Sequence, residues 1–206
     1  MKKFISEHFY FGWHWTSVLA LIIALLVYPA IQYLPKTWGY ENGILENAQM
    51  IILLIGFILA LKSKYHKQFF NFAALIITII ALREINCGRT IFFPIPGTVN
   101  QFYKWKDIPY GYLAHPLYGL YIAWVAIYFL KNKCYIPLKN MLTKIPLPVW
   151  NIAMMFLGIG LGEYAENCTH CFVFEEMGEL LFYVSLVGII YLYTIKDKFV
   201  LKENID

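Results

Sequence analysis

The sequence predicts an all-α fold: a polytopic membrane helical bundle of about six transmembrane helices, in a single integral membrane domain over residues 1–206. The first observation is composition, since 60% of the residues are hydrophobic and only 15% are charged. Soluble domains average roughly 45–50% apolar and about 25% charged residues. The second is a series of long apolar runs, and the third is the opposite charge of the loops that alternate between them.

Six apolar runs approach the length of about 20 residues that a spanning helix needs. They are Trp13–Leu34, Ile44–Leu61, Phe69–Cys87, Leu113–Leu130, Val149–Gly162 and Leu180–Ile195. The first run follows Lys2 and Lys3 without a small-x-small cleavage site, so we interpret it as a retained signal anchor. The fifth run is short, and an extension through residues 164–167 would carry Glu163 and Glu166 into the membrane.

Glycines at 158, 160 and 162 line the fifth run. Gly158 and Gly162 are four residues apart, which is the small-xxx-small spacing that lets two helix backbones approach each other. We therefore expect this helix to pack closely on a neighbour.

The loops carry opposite charge on the two sides of the predicted bundle. Both termini and the loops at 62–68 and 131–148 hold 12 of the 17 Lys and Arg residues. The other side, with loops at 35–43, 88–112 and 163–179, holds 9 of the 13 Asp and Glu residues. Positively charged loops stay in the cytoplasm. The sequence therefore predicts a bacterial inner-membrane protein with both termini cytoplasmic and an acidic extracytoplasmic side.

The acidic side predicts a functional site, because ionisable groups within apolar runs are costly and are commonly functional. The first cluster is at the start of the second run, where Glu46 and Asn47 are candidate substrate-binding residues. A carboxylate near a helix N-terminus gains about 0.3–1 kcal/mol from the helix dipole. Capping therefore explains Glu41 and Asn42 better than it explains Glu46, which is deeper in the helix.

The second cluster ends the third run, where Arg83, Glu84 and Arg89 are candidate catalytic residues and Asn86 a substrate-binding one. The alternative is a structural ion pair between helices, since such networks also hold buried charges. Because adjacent helical residues point about 100° apart, we expect Arg83 and Glu84 to pair with different partners.

The third cluster follows the fifth run. If this segment is helical, Glu163, Glu166, Asn167 and His170 fall on one face. Glu166 and His170 are candidate catalytic residues, and Glu163, Glu166 and His170 are candidate metal ligands. Carboxylate and imidazole groups at this spacing can bind a transition metal or exchange protons.

The remaining candidates are His115, which begins the fourth run, and Glu176 and Glu179, which lead into the last. All three are assigned to substrate binding. Glu175 and Glu179 are four residues apart and would repel each other unless a cation, a proton or an arginine intervenes. The aromatic, proline-containing loop at 90–112 is expected along the outer membrane surface as an interfacial anchor, and the alternative interpretation is a cap over the site.

Three strings carry a resemblance to known sequences. Glu46 opens one helix, Arg83-Glu84-Ile85-Asn86-Cys87-Gly88-Arg89 ends the next, and Phe174-Glu175-Glu176-Met177-Gly178-Glu179-Leu180 opens the last. In this order they resemble uncharacterised bacterial multi-pass membrane proteins with a Glu-Glu-Ile-Ser-Trp-Gly-Gln-Arg motif. In this chain Arg83 replaces the first Glu, and Asn86-Cys87 replaces Ser-Trp. The resemblance implies a shared polar site on the outer face and supplies no activity.

The cysteines are a separate group of candidates. Cys168 and Cys171 enclose His170, and a neighbouring histidine can lower a thiol pKa. The string resembles the redox dithiols of membrane disulfide-generating enzymes. The interpretation we favour is a structural disulfide between Cys87 and one of this pair, because thiols outside the cytoplasm tend to oxidise.

We expect a membrane-embedded enzyme that acts on a lipid or lipid-linked substrate, with a divalent metal ion as a candidate cofactor and membrane lipid as its partner. The arginines would hold a phosphate or stabilise an oxyanion. The alternatives are an ion- or proton-binding transport or sensing protein, and a thiol–disulfide oxidoreductase using Cys168 and Cys171. Nucleic-acid binding is not expected, since the lysines form no single patch. The sequence does not identify protein partners.

Overall fold

The computed structural model describes residues 8–169, 171–196 and 199 and shows an all-α fold. A two-residue parallel pairing joins β1 (Phe9–Tyr10) to β2 (Leu147–Pro148). The α-helices of the described residues are α1 Trp15–Tyr33, α2 Ile44–Leu61, α3 Lys67–Glu84, α4 Arg89–Phe92, α5 Ala114–Lys131, α6 Tyr135–Lys144, α7 Val149–Tyr164 and α8 Phe172–Ile195.

Four helical segments are long and apolar enough to cross a membrane. They are Trp15–Tyr33, Lys36–Leu61, Gly111–Lys131 and Phe172–Ile195. A fifth becomes available if α3 and the segment Asn86–Phe92, which meet at a bend of 55°, form one broken span. The 16 residues of α7 extend about 24 Å at 1.5 Å per residue, which is less than a bilayer core. These helices indicate an integral membrane protein.

The last helix, α8, is the centre of the bundle. It packs against α1 and α2 through Leu181 and Val184, and against α2 and α3 through Tyr183 and Ile190. Leu181 and Tyr183 are wholly buried. In contrast α5 is peripheral and contacts α3, for example where the Tyr118 hydroxyl donates to the Ile79 carbonyl at 3.0 Å. Each charge at the start of α8 is therefore held among neighbouring helices.

The predicted close packing of the fifth run is confirmed. A Cβ on Gly158 would lie 2.5 Å from the backbone nitrogen of Phe182 in α8. A Cβ on Gly178 would lie 2.5 Å from the nitrogen of Gly162, whereas one on Gly160 would meet nothing within 4 Å. The backbones of α7 and α8 thus approach closely at Gly158 and Gly178, where a side chain would not fit, whereas a Cβ on Gly162 would lie 3.6 Å from Glu179 Cγ.

The chain turns sharply after α3. Asn86, Cys87 and Gly88 have φ angles of 46°, 50° and 87°. This is the left-handed region, which glycine enters freely and asparagine more readily than most residues. The turn ends α3 at Glu84 and brings Thr90 near α2, where the Asn42 side chain donates to the Thr90 carbonyl at 2.5 Å.

The predicted loop at 163–179 is wrong. A π-helical turn over residues 165–169 follows α7, and α8 begins at Phe172 instead of Leu180. A prediction from hydropathy stops a span where charged residues appear. Glu175, Glu176 and Glu179 are nevertheless helical, because they face other polar groups of the bundle. The remaining predicted runs agree with the helices to within three residues, and α2 has the predicted bounds.

Segments predicted on the basic side meet at one end of the bundle, which we call the basic end. The strand pairing joins the N-terminal segment to the segment before α7, and Trp13 stacks on Trp150 with centroids 4.6 Å apart. Near the other terminus, the Phe199 ring contacts Tyr10 with centroids 5.4 Å apart. The polar clusters of the sequence lie at the opposite helix ends.

Candidate functional site

A polar cavity lies where α2, α3, the π-turn and α8 meet. It encloses about 640 Å³ of empty space, including part of the open solvent at its mouth. Every lining residue is ionisable: Glu41, Glu46, Arg83, Glu84, Glu166, Glu175, Glu176 and Glu179. Seven carboxyl groups thus face one guanidinium. Since like charges at close range cannot all ionise, protons or a bound cation must balance this cavity.

Arg83 joins two helices by an ion-pair network. Its Nη2 donates to Glu84 Oε1 at 2.9 Å and to Glu179 Oε1 at 2.8 Å. The Tyr183 hydroxyl donates to the same Glu84 oxygen at 2.7 Å. The Arg83 side chain nevertheless keeps 60% of its exposure, whereas that of Glu84 keeps 6%. The network therefore buries Glu84 and leaves the guanidinium accessible.

The expectation of separate partners for Arg83 and Glu84 is wrong. Arg83 Nε also donates to Glu84 Oε1, at 3.1 Å. The arginine side chain is long enough to fold back across the last turn of α3, so the angle between adjacent residues does not keep the two groups apart. The interhelical ion pair that we considered as an alternative is present, between Arg83 and Glu179.

The wall formed by α2 contains an acceptor without a partner. Glu46 is only 5% exposed, and its Oε2 accepts the backbone N–H of Asn42. Its other oxygen, Oε1, is buried and has no hydrogen-bond partner among the described residues. One turn further, Gln49 donates to Glu176 Oε2 at 2.7 Å and to the Glu176 carbonyl at 2.9 Å. Glu46 is thus the buried cavity carboxylate whose hydrogen bonding is incomplete.

The cavity continues into a groove between α7 and α8. The groove encloses about 430 Å³, again with open solvent, and shares Arg83, Glu166, Glu175 and Glu179 with the cavity. The rest of its lining is Gly158, Ile159, Gly162, Glu163 and Phe182. Of the two glycines, Gly162 leaves space here, since a Cβ at this position would lie 3.6 Å from the Glu179 side chain. A polar chamber and a partly apolar groove are therefore contiguous.

Four of the predicted catalytic and substrate-binding residues lie apart from the cavity lining. Asn47 is exposed, and its side-chain amide donates to the Asn42 and Gly43 carbonyls at 2.9 and 2.7 Å, at the start of its own helix. Asn86 lies in the left-handed turn. Arg89 lies 5.9 Å from the ring centroids of both Phe102 and Trp105, and exposed His115 contacts Trp105.

The loop predicted as a possible cap contacts the cavity rim at Glu41. Within the loop at 90–112, Asn100 accepts the backbone N–H of Glu41 through its side-chain oxygen at 3.0 Å. A bridge between Pro94 and Phe102 folds the loop back on itself. The aromatic segment is thereby fixed beside the residue that lines the cavity entrance.

The third cluster is divided. Glu166 lines both the cavity and the groove, Glu163 lines the groove alone, and both are exposed. His170 lies outside the described residues, so the proposed metal ligands Glu163, Glu166 and His170 stay a prediction. Within the described ranges, no three His, Cys, Asp or Glu side chains are grouped so that they could hold one metal ion.

The structure does not support the predicted disulfide. Cys87 and Cys168 are free thiols, so Cys87 is joined to neither Cys168 nor Cys171. Cys87 lies in the left-handed turn after α3, whereas Cys168 lies exposed in the π-turn after α7. The redox role of Cys168 and Cys171 stays a prediction.

Sequence reasoning missed Tyr183 and Gln49 and gave no site role to Glu41 and Glu175. The sequence could have identified Tyr183 as a site residue, because it is four residues after Glu179 and so lies on the same helix face. Gln49 is likewise three residues after Glu46. Neutral polar residues in an apolar helix stand out less than charges do, which is why these partners were overlooked.

The chain matches no family model, no curated protein and no solved structure at a significant level. The resemblance to bacterial multi-pass membrane proteins therefore stays a prediction.

Proposed function

We propose that this protein is a membrane-embedded enzyme that acts at the polar cavity on a lipid or lipid-linked substrate. The observation that carries the proposal is the continuity of the cavity with the α7–α8 groove. A lipid needs both a polar chamber for its headgroup and an apolar surface for the start of its chain. The glycine- and phenylalanine-lined groove supplies the second beside the first.

The accessible groups have distinct roles in this proposal. Arg83 is the cavity's cation and is exposed enough to bind a phosphate oxygen of the headgroup. Glu166 belongs to both chambers, so it would meet the junction between headgroup and chain and serve as general acid or base. Glu84 and Tyr183 position Arg83 through their hydrogen bonds instead of touching the substrate.

We also propose six spans with both termini in the cytoplasm of a bacterial inner membrane, so that the cavity faces the extracytoplasmic side. In this arrangement α7 and the π-turn together form the fifth span. The joining of the N-terminal segment, the segment before α7 and Phe199 at one end favours an even number of crossings. The lysine-rich loops favour the cytoplasm for that end.

The test is lipid analysis of membranes from cells that produce the wild-type protein or a variant. Glu166→Gln removes the proposed acid–base group without breaking an ion pair of the structure. Asp107→Asn is the matched control, since Asp107 is an exposed acid on the same side and lies outside the cavity. We expect one lipid class to be depleted and a product to accumulate with wild type and Asp107→Asn, but not with Glu166→Gln.

Equal lipid profiles for wild type, Glu166→Gln and an empty-vector control would contradict the enzymatic proposal. A product that forms undiminished with both Glu166→Gln and Glu84→Gln would also contradict it, because the carboxyl groups would then have no part in the reaction. Production levels are matched by immunoblotting of the membrane fraction.

A metal-dependent reaction remains part of the proposal. Elemental analysis of protein purified in mild detergent, beside Glu166→Gln and His170→Ala, tests the predicted ligands. Near-stoichiometric metal in the wild type that is lost in both variants would support them. Wild-type protein that is folded and holds no metal would direct the proposal to metal-free acid–base chemistry.

The second candidate is cation binding for transport or sensing, which the excess of carboxyl groups favours. A transport path would also need polar groups towards the basic end. Thr78 does not supply one, because its hydroxyl donates to the Ala74 carbonyl of its own helix at 3.1 Å. Cation flux into proteoliposomes that depends on Glu46 and Glu179, without any lipid product, would favour this candidate.

A further inference from the structure

We infer that the polar cavity binds the primary ammonium of an amine-bearing lipid headgroup, with Glu46 as the buried acceptor. This inference rests on the proposed lipid function and names the chemical class of its substrate. It begins from Glu46 Oε1, a carboxylate oxygen that is buried, lines the cavity and has no partner among the described residues. A buried acceptor without a donor is costly, so a ligand that donates there gains free energy.

The ligand must be positive at this point. The cavity places seven carboxyl groups against one guanidinium, and Arg83 is already held by Glu84 and Glu179. Glu46, Glu41 and Glu176 thus form no ion pair among the described residues, and of the three only Glu41 is also near a second cation, Arg89. A phosphate alone would add negative charge to this wall and would be repelled.

A primary ammonium fits the arrangement better than a compact metal ion does. An ammonium offers three N–H donors and no acceptor, so it satisfies carboxylate oxygens that lie on different walls. A divalent cation requires several oxygens gathered at about 2.0–2.6 Å from one centre. The carboxyl groups of the described residues are spread around the cavity, and no three are grouped to hold one metal ion.

The two chambers also give the headgroup an orientation. The ammonium end would occupy the wall formed by Glu46 on α2, whose buried Oε1 has no donor among the described residues. The phosphate would lie nearer Arg83, which belongs to both the cavity and the groove. The acyl chain would then leave along Ile159 and Phe182 between α7 and α8. A zwitterionic amine lipid has its ammonium, phosphate and acyl chain in this same spatial order.

Calorimetric titration of the full-length protein in mild detergent tests the inference. The probes are two short-chain lipids with identical acyl chains, dihexanoyl phosphatidylethanolamine and dihexanoyl phosphatidylglycerol, and separately MgCl₂ and CaCl₂. We expect the ethanolamine lipid to bind at least tenfold tighter than the glycerol lipid. Glu46→Gln should reduce its affinity at least tenfold, whereas Asp107→Asn should leave it unchanged.

Glu46→Gln preserves an acceptor for the Asn42 N–H and removes the charge of a buried carboxylate. We therefore expect its unfolding temperature to equal or exceed that of the wild type. If this variant does not fold, Glu41→Gln decides instead, because Glu41 is exposed at the cavity entrance. This variant should lower the affinity for the ethanolamine lipid at least threefold and leave the affinity for the glycerol lipid unchanged. An unchanged affinity for the ethanolamine lipid would overturn the inference.

The outcomes separate this inference from the proposed function. Equal binding of both lipids that requires Arg83 would overturn the ammonium assignment and leave a phospholipid enzyme in place. Glu46-dependent binding of Mg²⁺ or Ca²⁺, without preference for the amine lipid, would make the occupant a divalent cation and also overturn it. Binding of neither lipid, together with unchanged membrane lipids in producing cells, would overturn both proposals.

Discussion

At the scale of single residues, Tyr183 donates a hydrogen bond to Glu84 inside the bundle, beside the two that Arg83 donates. It is wholly buried, and its hydroxyl lies 2.7 Å from Glu84 Oε1. We expect Tyr183→Phe to lower the free energy of unfolding by about 1–3 kcal/mol, because a buried carboxylate loses a donor. Reversible unfolding in mixed micelles, followed by circular dichroism, measures the change.

Tyr193 provides the matched control on the same helix. It is 8% exposed, and its hydroxyl is buried without a hydrogen-bond partner in the described part of the chain. Tyr193→Phe should therefore be neutral or stabilising, since it removes a polar atom that gains nothing from its surroundings. Equal destabilisation by both substitutions would mean that the Glu84 hydrogen bond contributes nothing specific.

The charged residues of the cavity were predictable, but their pairing was not. Glu46, Arg83, Glu84 and Glu179 stand out because charges within apolar runs are rare. Which of them pair depends on the crossing of α3 and α8, and this crossing is set by packing that no local pattern records. Arg83 consequently bonds both its neighbour Glu84 and the distant Glu179.

At the scale of elements, the contact between α7 and α8 depends on the absence of side chains at Gly158 and Gly178. A Cβ at Gly158 would come within 2.5 Å of the Phe182 nitrogen, whereas one at Gly160 would meet nothing within 4 Å. We expect Gly158→Ala to destabilise the protein by about 1–3 kcal/mol, because overpacking displaces helix backbones. Gly160→Ala should leave stability unchanged or raise it slightly, because alanine favours helix.

Unfolding of both glycine variants in the same mixed micelles is the direct measurement. Glu166 and Arg83 line the adjoining groove, so Gly158→Ala should also impair formation of the lipid product. Indistinguishable stabilities for Gly158→Ala and Gly160→Ala would contradict the close helix contact. The prediction does not depend on the identity of the substrate.

The glycine spacing shows how far sequence patterns reach at this scale. Gly158 and Gly162 were enough to predict close packing, and hydropathy located α1, α2 and α5 to within two residues. Hydropathy failed at α8, where the real helix begins eight residues before the predicted Leu180. There the helix is stabilised by residues of other helices, such as Gln49 and Arg83. A hydropathy average over consecutive residues does not include these distant partners.

At the scale of the whole molecule, the two ends of the bundle differ in chemistry. The cavity end holds carboxyl groups, and the other end joins the N-terminal segment, the segment before α7 and Phe199. Loop charge in the sequence already separated these ends. It did not reveal the cavity itself, because a shared chamber depends on four distant segments being brought together.

Thiol labelling of intact cells tests the proposed orientation. In a variant with Cys168 as its only cysteine, this exposed thiol should react with a membrane-impermeant maleimide. Lys139→Cys in a cysteine-free background should react only after permeabilisation, since Lys139 is exposed on α6 at the basic end. The opposite labelling pattern would mean an inverted protein, and labelling of both sites in intact cells would contradict the even number of crossings.

Cys134 is the internal control for this experiment, because it belongs to the basic end but has no exposed surface. Burial raises the pKa of its thiol, so less thiolate is present at any pH below that raised value. We expect a variant with Cys134 alone to stay unlabelled at pH 7 even after permeabilisation, and to react once detergent and denaturant unfold the protein. Rapid labelling of Cys134 in native membranes would mean that the contact of α6 with the bundle opens, and the assignment of Lys139 as a fixed reporter of the basic end would then fail.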